Sequence, residues 1–399
     1  MKHVAVMGYG TVGSGVYEVL TKNKNIVSKN VGEELNVKYV LDLREFPGDP
    51  VEEALTHNFD DILNDEEVSV VAEVMGGIEP AYTFTKKCLL AGKSVCTSNK
   101  ALVEKHGAEL LAIAKEKNVN YLFEASVGGG IPIIRPLHTC LTADVIEEIS
   151  GILNGTTNYM LTKMSVEGAE YDEVLKDAQA KGYAERNPEA DVEGHDPARK
   201  IAILTSLITG KKVDFEDLYC EGITKVTPAD IEYAKKLGLA IKLLATSKKI
   251  GDQYSIMVAP KMIGTAHPLF AVNDVFNAVF VKGNMLGDSM FYGSGAGKLP
   301  TASAVAGDIV EAAKVTGNTG HLWTEEKLEL ADVGAVENKF FVRANVTAED
   351  AKAVFGDVCV MNDVVAGEIG FVTEKMTEAA YAECAAKLNG IISMIRVEG

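Results

Sequence analysis

No stretch of this 399-residue chain reaches the roughly 18 consecutive apolar residues that a membrane span needs, and Met1-Lys2-His3 leads only into a short apolar run. The sequence therefore offers no transmembrane segment and no targeting signal. Positive charge is also scarce. Lys and Arg number 39 against 57 Asp and Glu, for a net charge of −18 and a pI near 4.9. That balance argues against nucleic acid or anionic membranes as partners. The six cysteines, Cys88, Cys96, Cys140, Cys220, Cys359 and Cys384, have no metal-binding spacing and read as reduced thiols of a cytoplasmic protein. Seven histidines form no zinc motif. His195 alone stands in a loop of interest, where a solvated histidine is the simpler reading.

What is present is length for two or three domains and strong punctuation by glycine. Val4-Ala5-Val6-Met7 reads as a buried strand running into Gly8-Tyr9-Gly10-Thr11-Val12-Gly13, with a helix over 14–22 and a strand over 36–43 after it. In that setting the first glycine permits a tight turn, the second lets a pyrophosphate approach the backbone, and the third lets the helix pack closely. The helix amino end favours phosphate. The expectation is dinucleotide binding by Gly8, Tyr9, Gly10, Thr11, Val12 and Gly13. The second strand ends Leu41-Asp42-Leu43-Arg44. Asp42 favours NAD and Arg44 accepts NADP, and the spacing from Gly13 leaves both open.

Two more loops stand where parallel strands end and ligands bind. Met75-Gly76-Gly77 follows a strand over 68–74, and Thr97-Ser98-Asn99-Lys100 opens an amphipathic helix over 101–117. By position alone, Lys100 reads equally as an ordinary solvated lysine. Ser126-Val127-Gly128-Gly129-Gly130-Ile131-Pro132 breaks a strand that begins at Tyr121. Such glycines either turn carbonyls toward a ligand or ion, or form a hinge. Gly293-Ser294-Gly295-Ala296-Gly297-Lys298 precedes a helix of small residues over 302–313, and either covers a cofactor or is a plain loop.

The most informative stretch runs from Gly182 and Tyr183 through Glu185, Asp191 and Asp196 to Lys200. It loads acids into a turn-rich loop and then enters Ile201-Ala202-Ile203-Leu204, apolar nearly all round, which places Lys200 at the mouth of a buried helix. Pro197 suits the first helical position and Asp196 the cap, setting Asp196 and Lys200 four residues apart on one face. An exposed pair of that kind contributes at most about 1 kcal/mol. A desolvated lysine beside carboxylates can instead donate a proton.

These motifs in this order, GYGTVG, TSNK, EASVGGGIP, ILNGTTNY, the GYAE to DPARK stretch and GSGAGKLPTASA, resemble those of homoserine dehydrogenases from the first strand to about Thr316. The resemblance implies reversible NAD- or NADP-dependent reduction of L-aspartate 4-semialdehyde to L-homoserine, a step toward threonine, methionine and isoleucine. It implies that Lys200 is the proton donor to the aldehyde oxygen and that Lys100 lies by the nicotinamide. Met75, Gly76, Thr97, Ser98 and Gly297 fall with the cofactor-binding positions. Glu185, Asp191 and Asp196, with Gly182 and Tyr183, match the substrate-binding loop. Glu124 and the carbonyls of Val127, Gly129 and Ile131 match a site for a monovalent cation, sodium by its hard oxygen ligands and structural rather than catalytic.

The expected fold is α/β. A Rossmann-type nucleotide-binding domain spans 1–135 with a return segment near 293–325, and an α+β catalytic and dimerisation domain spans 136–292. Residues 338–399 read as strand, helix, two strands, helix and strand, similar to an ACT domain, a βαββαβ module that often binds amino acids at paired interfaces. Here its first turn is Val346-Thr347-Ala348-Glu349-Asp350, without the usual Pro-Gly, which leaves a threonine effector and a role in assembly both open. A homodimer or homotetramer is expected. Two competing readings make different demands. A thioester-forming semialdehyde dehydrogenase needs an activated cysteine, for which Cys140 is the best candidate. A catalytically silent amino-acid sensor has no use for Lys100 and Lys200.

Overall fold

Val4, Ala5, Val6 and Met7 are all fully buried, as a strand covered on both faces of a parallel sheet must be. The computed structural model describes residues 1–317 and 322–398; positions 318–321 of the expected return segment, and residue 399, lie outside the described residues. The chain divides into two compact units. One comprises Met1–Val145, Ala202–Phe215 and Phe291–Leu328, the other Ile146–Ile201, Glu216–Met290 and Glu329–Gly399.

The first unit is built on six parallel strands, β1 (Lys2–Met7), β2 (Leu35–Leu41), β3 (Leu55–Thr56), β4 (Val68–Glu73), β5 (Ser94–Thr97) and β6 (Tyr121–Leu122). Their order is β3-β2-β1-β4-β5-β6. The direction of winding reverses between β1 and β4, and the carboxyl ends there carry the 8–13 and 75–77 loops. Helix α1 (Thr11–Lys22) starts three residues before its expected position, because Thr11, Val12 and Gly13 already form its first turn. Helix α2 (Lys100–Glu116) follows β5. Val16 and Leu20 of α1 pack with Ala302, Val305 and Ile309 of the helix Lys298–Lys314 and with Val4, Val6 and Val70 of the sheet. Each large side chain so buried stabilises the unit by about 1.5–3 kcal/mol.

The second unit carries a mixed sheet, in which β7 (Ile146–Ile152) lies between β8 (Leu239–Ile250) and β10 (Phe276–Gly283). The hairpin of β8 with β9 (Gln253–Gly264) pairs from Leu239↔Gly264 to Ile250↔Gln253. The last strand of this region is β11 (Gly287–Ser294). Its side chains alternate half-buried and exposed, Met290 and Tyr292 among the exposed, so it presents no apolar run to read. Helices α3 (Gly155–Glu167) and α4 (His195–Thr209) follow β7 in the chain.

The chain then forms β12 (Glu337–Ala344), α5 (Ala348–Phe355), β13 (Val358–Met361), β14 (Ile369–Thr373), α6 (Glu378–Ala385) and β15 (Ile391–Glu398). The spatial order is β15-β12-β14-β13, and β15 joins β9 in parallel at Lys261↔Arg396. Phe340, Val342, Phe371 and Tyr381 form its core. The turn lacking Pro-Gly is a capping box: the Thr347 hydroxyl accepts the Asp350 N–H while the Asp350 carboxylate accepts the Thr347 N–H. Two buried arginines tie this segment to the rest of the unit. Arg343 pairs with Glu368 and Asp230 at 2.8 and 3.0 Å, and Arg396 with Glu378 and Glu221 at 2.7 and 3.0 Å.

Candidate functional site

The glycine turn of the first unit is shaped by contact. Gly8 has φ +99°, and a Cβ on Gly13 would stand 1.9 Å from the Gly8 carbonyl oxygen, so no other residue fits without moving the turn. Around Gly10 a Cβ would meet nothing within 4 Å. Gly10 begins α1 with no side-chain cap, so Thr11 and Val12 open a helix whose first N–H groups are offered to a ligand anion. Beside this turn lies a cavity of about 530 Å³, lined by Gly8, Gly10, Asp42, Arg44, Met75 and Phe84.

Asp42 and Arg44, read as alternatives, are paired with each other: Asp42 Oδ2 accepts from Arg44 Nη2 at 2.9 Å and from the Tyr9 N–H at 2.8 Å. The Arg44 guanidinium holds the Asp42 carboxyl well below the usual range, against its partial burial. Arg44 itself is mostly exposed and lies over the Phe46 ring at 5.1 Å. Tyr9 donates its hydroxyl to Asp49, and burial together with that carboxylate pushes its pKa up. Gly297 caps the helix Lys298–Lys314 with φ +118°. A free helix terminus, a glycine floor and a cavity of this size fit a dinucleotide.

Thr97 and Ser98 lead into α2, whose first residue is Lys100. Asn99 caps this helix by accepting the Leu102 N–H at 3.2 Å. A cation at the first position of a 17-residue helix opposes the helix dipole, so its place there is not explained by helix stability.

In the second unit the acid-rich loop resolves into a cluster around Lys200. Helix α4 begins at His195, so Asp196 sits inside its first turn rather than at the cap, and the spacing of four to Lys200 is kept. The pair is buried, not a surface bridge: the side chains are 10% and 4% exposed, with Lys200 Nζ donating to Asp196 Oδ2 at 2.7 Å. Nζ also donates to the Leu153 carbonyl at 2.7 Å. Asn154, which sequence reasoning passed over, caps α3 with its Oδ1 and uses Nδ2 to bridge Asp191 at 2.7 Å and Asp196 at 2.9 Å. An Asn directly before Gly-Thr-Thr is a cap signal; that it also joins two acids 37 and 42 residues away is visible only in three dimensions. Glu185, Gly182 and Tyr183 remain exposed in the preceding loop. The Tyr183 ring packs edge-on to Tyr159, and the Tyr183 carbonyl accepts the Thr156 hydroxyl.

The Glu124 carboxylate is committed to the backbone. It accepts N–H groups from Ile133, Ile134 and Arg135 at 2.6, 2.9 and 2.8 Å. The Gly128 carbonyl takes the Ile131 N–H, whereas the described turn bonds do not use the carbonyls of Val127, Gly129 and Ile131. Among the described residues no cluster of three His, Cys, Asp or Glu could hold a metal, and no helix is long and apolar enough to cross a membrane. Cys140 is exposed at the end of a single helical turn beside the Thr139 hydroxyl, without the neighbouring base that a thioester mechanism needs among the described contacts.

Comparison with known proteins assigns both stretches of the chain to one family. The family model for homoserine dehydrogenase matches residues 132–310, and that for the homoserine dehydrogenase NAD-binding domain matches residues 8–124. The chain is 39% identical to homoserine dehydrogenase of Bacillus subtilis, covering 99% of this chain and 98% of that protein. A solved homoserine dehydrogenase from Thiobacillus denitrificans superposes with TM-score 0.90 at 34% identity, covering 100% of this chain and 98% of the other. A hyperthermophilic archaeal homoserine dehydrogenase solved with NADPH superposes over 78% of this chain and 98% of its own, with TM-score 0.67 at 29% identity. The chain belongs to the homoserine dehydrogenase family and is an NAD(P)-dependent oxidoreductase.

Proposed function

We propose that the chain interconverts L-aspartate 4-semialdehyde and L-homoserine in the cytoplasm, on the route to threonine, methionine and isoleucine, with Lys200 as the proton donor. The observation that carries this reading is the buried Lys200 ammonium, held by the Leu153 carbonyl and the Asp196 carboxylate. A bound nicotinamide supplies the hydride in one direction and accepts it in the other. Lys200 holds a proton at Nζ for the oxygen of the aldehyde as it gains charge, and takes one back when homoserine is oxidised. Asp191 and Asp196, fixed by Asn154, favour an ammonium group on the substrate, with Glu185, Gly182 and Tyr183 in the adjoining loop. Lys100 is assigned to the nicotinamide and the reacting carbon.

The division of labour we infer is nucleotide binding by 1–135 with the return near 293–325, catalysis and dimerisation by 136–292, and an ACT-like module at 338–399. The groups assigned to the cofactor are Gly8 to Gly13, Asp42, Arg44, Met75, Gly76, Thr97, Ser98, Lys100 and Gly297. Both NAD and NADP are admitted by an Arg44 that is paired with Asp42 yet exposed enough to turn to a 2′-phosphate. Arg44→Ala is expected to lower kcat/KM with NADP by about 10-fold or more, the loss of one charge-assisted hydrogen bond, and to spare NAD. Equal losses with the two cofactors in steady-state assays would refute that assignment.

A structural sodium ion would be held by main-chain oxygens at Glu124, Val127, Gly129 and Ile131, since the Glu124 carboxylate is already engaged. Assembly into a homodimer or homotetramer is supported by the exposed Met285, Leu286, Met290 and Tyr292 in and before β11. For the ACT-like module, a cavity of about 590 Å³ between Glu221, Lys225 and the 391–395 part of β15 supports an amino-acid effector. Truncation is an unsuitable test, because it would strip Asp230 and Glu221 of their buried arginine partners. With the full chain, L-threonine is expected to inhibit turnover and raise the melting temperature. No change in either would leave the module a role in assembly alone.

A further inference from the structure

Glu73 closes β4 at the point where the order of the strands changes direction, and it is fully buried. A carboxyl group in such a place is costly unless its oxygens are satisfied. Oε1 accepts the Met75 N–H at 2.9 Å, and Oε2 accepts the Thr97 hydroxyl at 2.6 Å. The Thr97 oxygen accepts the Asn99 N–H at 2.9 Å. Asn99 in turn caps α2 and donates its Nδ2 to the Gly77 carbonyl. One carboxylate thus ties the loop after β4 to the loop after β5, and the bonds continue to the residue before Lys100.

The direction of these bonds shapes the groove. In a trans peptide the N–H and C=O point to opposite sides, so drawing the Met75 N–H down to Glu73 turns the Val74 carbonyl away from it. That carbonyl oxygen lies 3.1 Å from the place a Cβ on Gly8 would take, on the side of the glycine turn. Hydrophobic packing alone would not set that direction.

We propose that Glu73 is a positioning residue for hydride transfer, fixing the spacing of the 75–77 and 97–99 loops and the start of the helix that carries Lys100. The proposal rests on the assignment of those loops to the cofactor. The test compares Glu73→Gln, Thr97→Val and Thr97→Ser by cofactor KM, kcat, melting temperature and the primary deuterium isotope effect with homoserine labelled at the reacting carbon. Glu73→Gln presents an amide N–H₂ to a donor and loses one of the two ties. It is expected to raise the cofactor KM about 10-fold or more and to increase the isotope effect, with the homoserine KM changed by less than about 3-fold. Thr97→Val should move the same quantities in the same direction, and Thr97→Ser should restore them.

Should Glu73→Gln fail to fold, the Thr97 pair decides alone. Folded variants with wild-type cofactor KM and isotope effect, beside a Gly13→Ala variant that has lost cofactor binding, would overturn the positioning role only. Wild-type cofactor KM in Gly13→Ala as well would instead remove the cofactor assignment on which it rests.

Discussion

Lys200→Met is expected to lower kcat by about 10²–10⁴-fold, the range for loss of a positioned general acid. Stability will fall as well. Lys200 is bound to Asp196 Oδ2 and to the Leu153 carbonyl, both at 2.7 Å, so its removal leaves a buried carboxylate facing an apolar chain. Breaking such a pair costs about 3–5 kcal/mol, whereas removing both charges is often near neutral. The double substitution Asp196→Asn with Lys200→Met separates the two effects. It should regain most of the melting temperature lost by the single variant and none of the turnover. Steady-state kinetics and thermal unfolding on the three proteins decide the matter. A folded Lys200→Met with near wild-type kcat would show that the proton comes from elsewhere.

Gly13→Ala is expected to raise the cofactor KM by about 100-fold. Its new Cβ would lie 1.9 Å from the Gly8 carbonyl oxygen, far inside any tolerable contact, so the turn must move by on the order of 1 Å. Gly10→Ala provides the contrast, since nothing lies within 4 Å of a Cβ there. The Gly10 variant should melt like wild type without cofactor and show its loss only when NAD or NADP is added. In wild type, cofactor at about 100 times its Kd should stabilise the fold by about 2.7 kcal/mol, and both variants should lose most of that gain. Full cofactor protection in Gly13→Ala would place the dinucleotide elsewhere.

The features legible in the sequence were those whose physics is local. A glycine turn between a buried strand and a helix is dictated by the steric needs of a few consecutive residues, and it appears where the spelling of residues 4–13 puts it. The spacing of Asp196 and Lys200 survives a two-residue shift in the helix start, because both lie on one face in either register. Features that depend on distant partners were hidden. Strand β11 has no apolar run, and Asn154 and Glu73 look like a cap and a strand-end acid until the loops they hold are folded against them. Arg343 and Arg396 read as strand residues, while their roles are set by Asp230, Glu368, Glu221 and Glu378. The Asp42 and Arg44 alternatives could not be separated because each is the other's partner.

The central claim is tested most directly by the reduced-nicotinamide absorbance when the purified full chain meets L-homoserine with NAD, and then with NADP. The account predicts homoserine-dependent reduction with at least one cofactor, abolished or nearly so in Lys200→Met. Absence of reduction with either cofactor, from folded protein across alkaline pH, would contradict it.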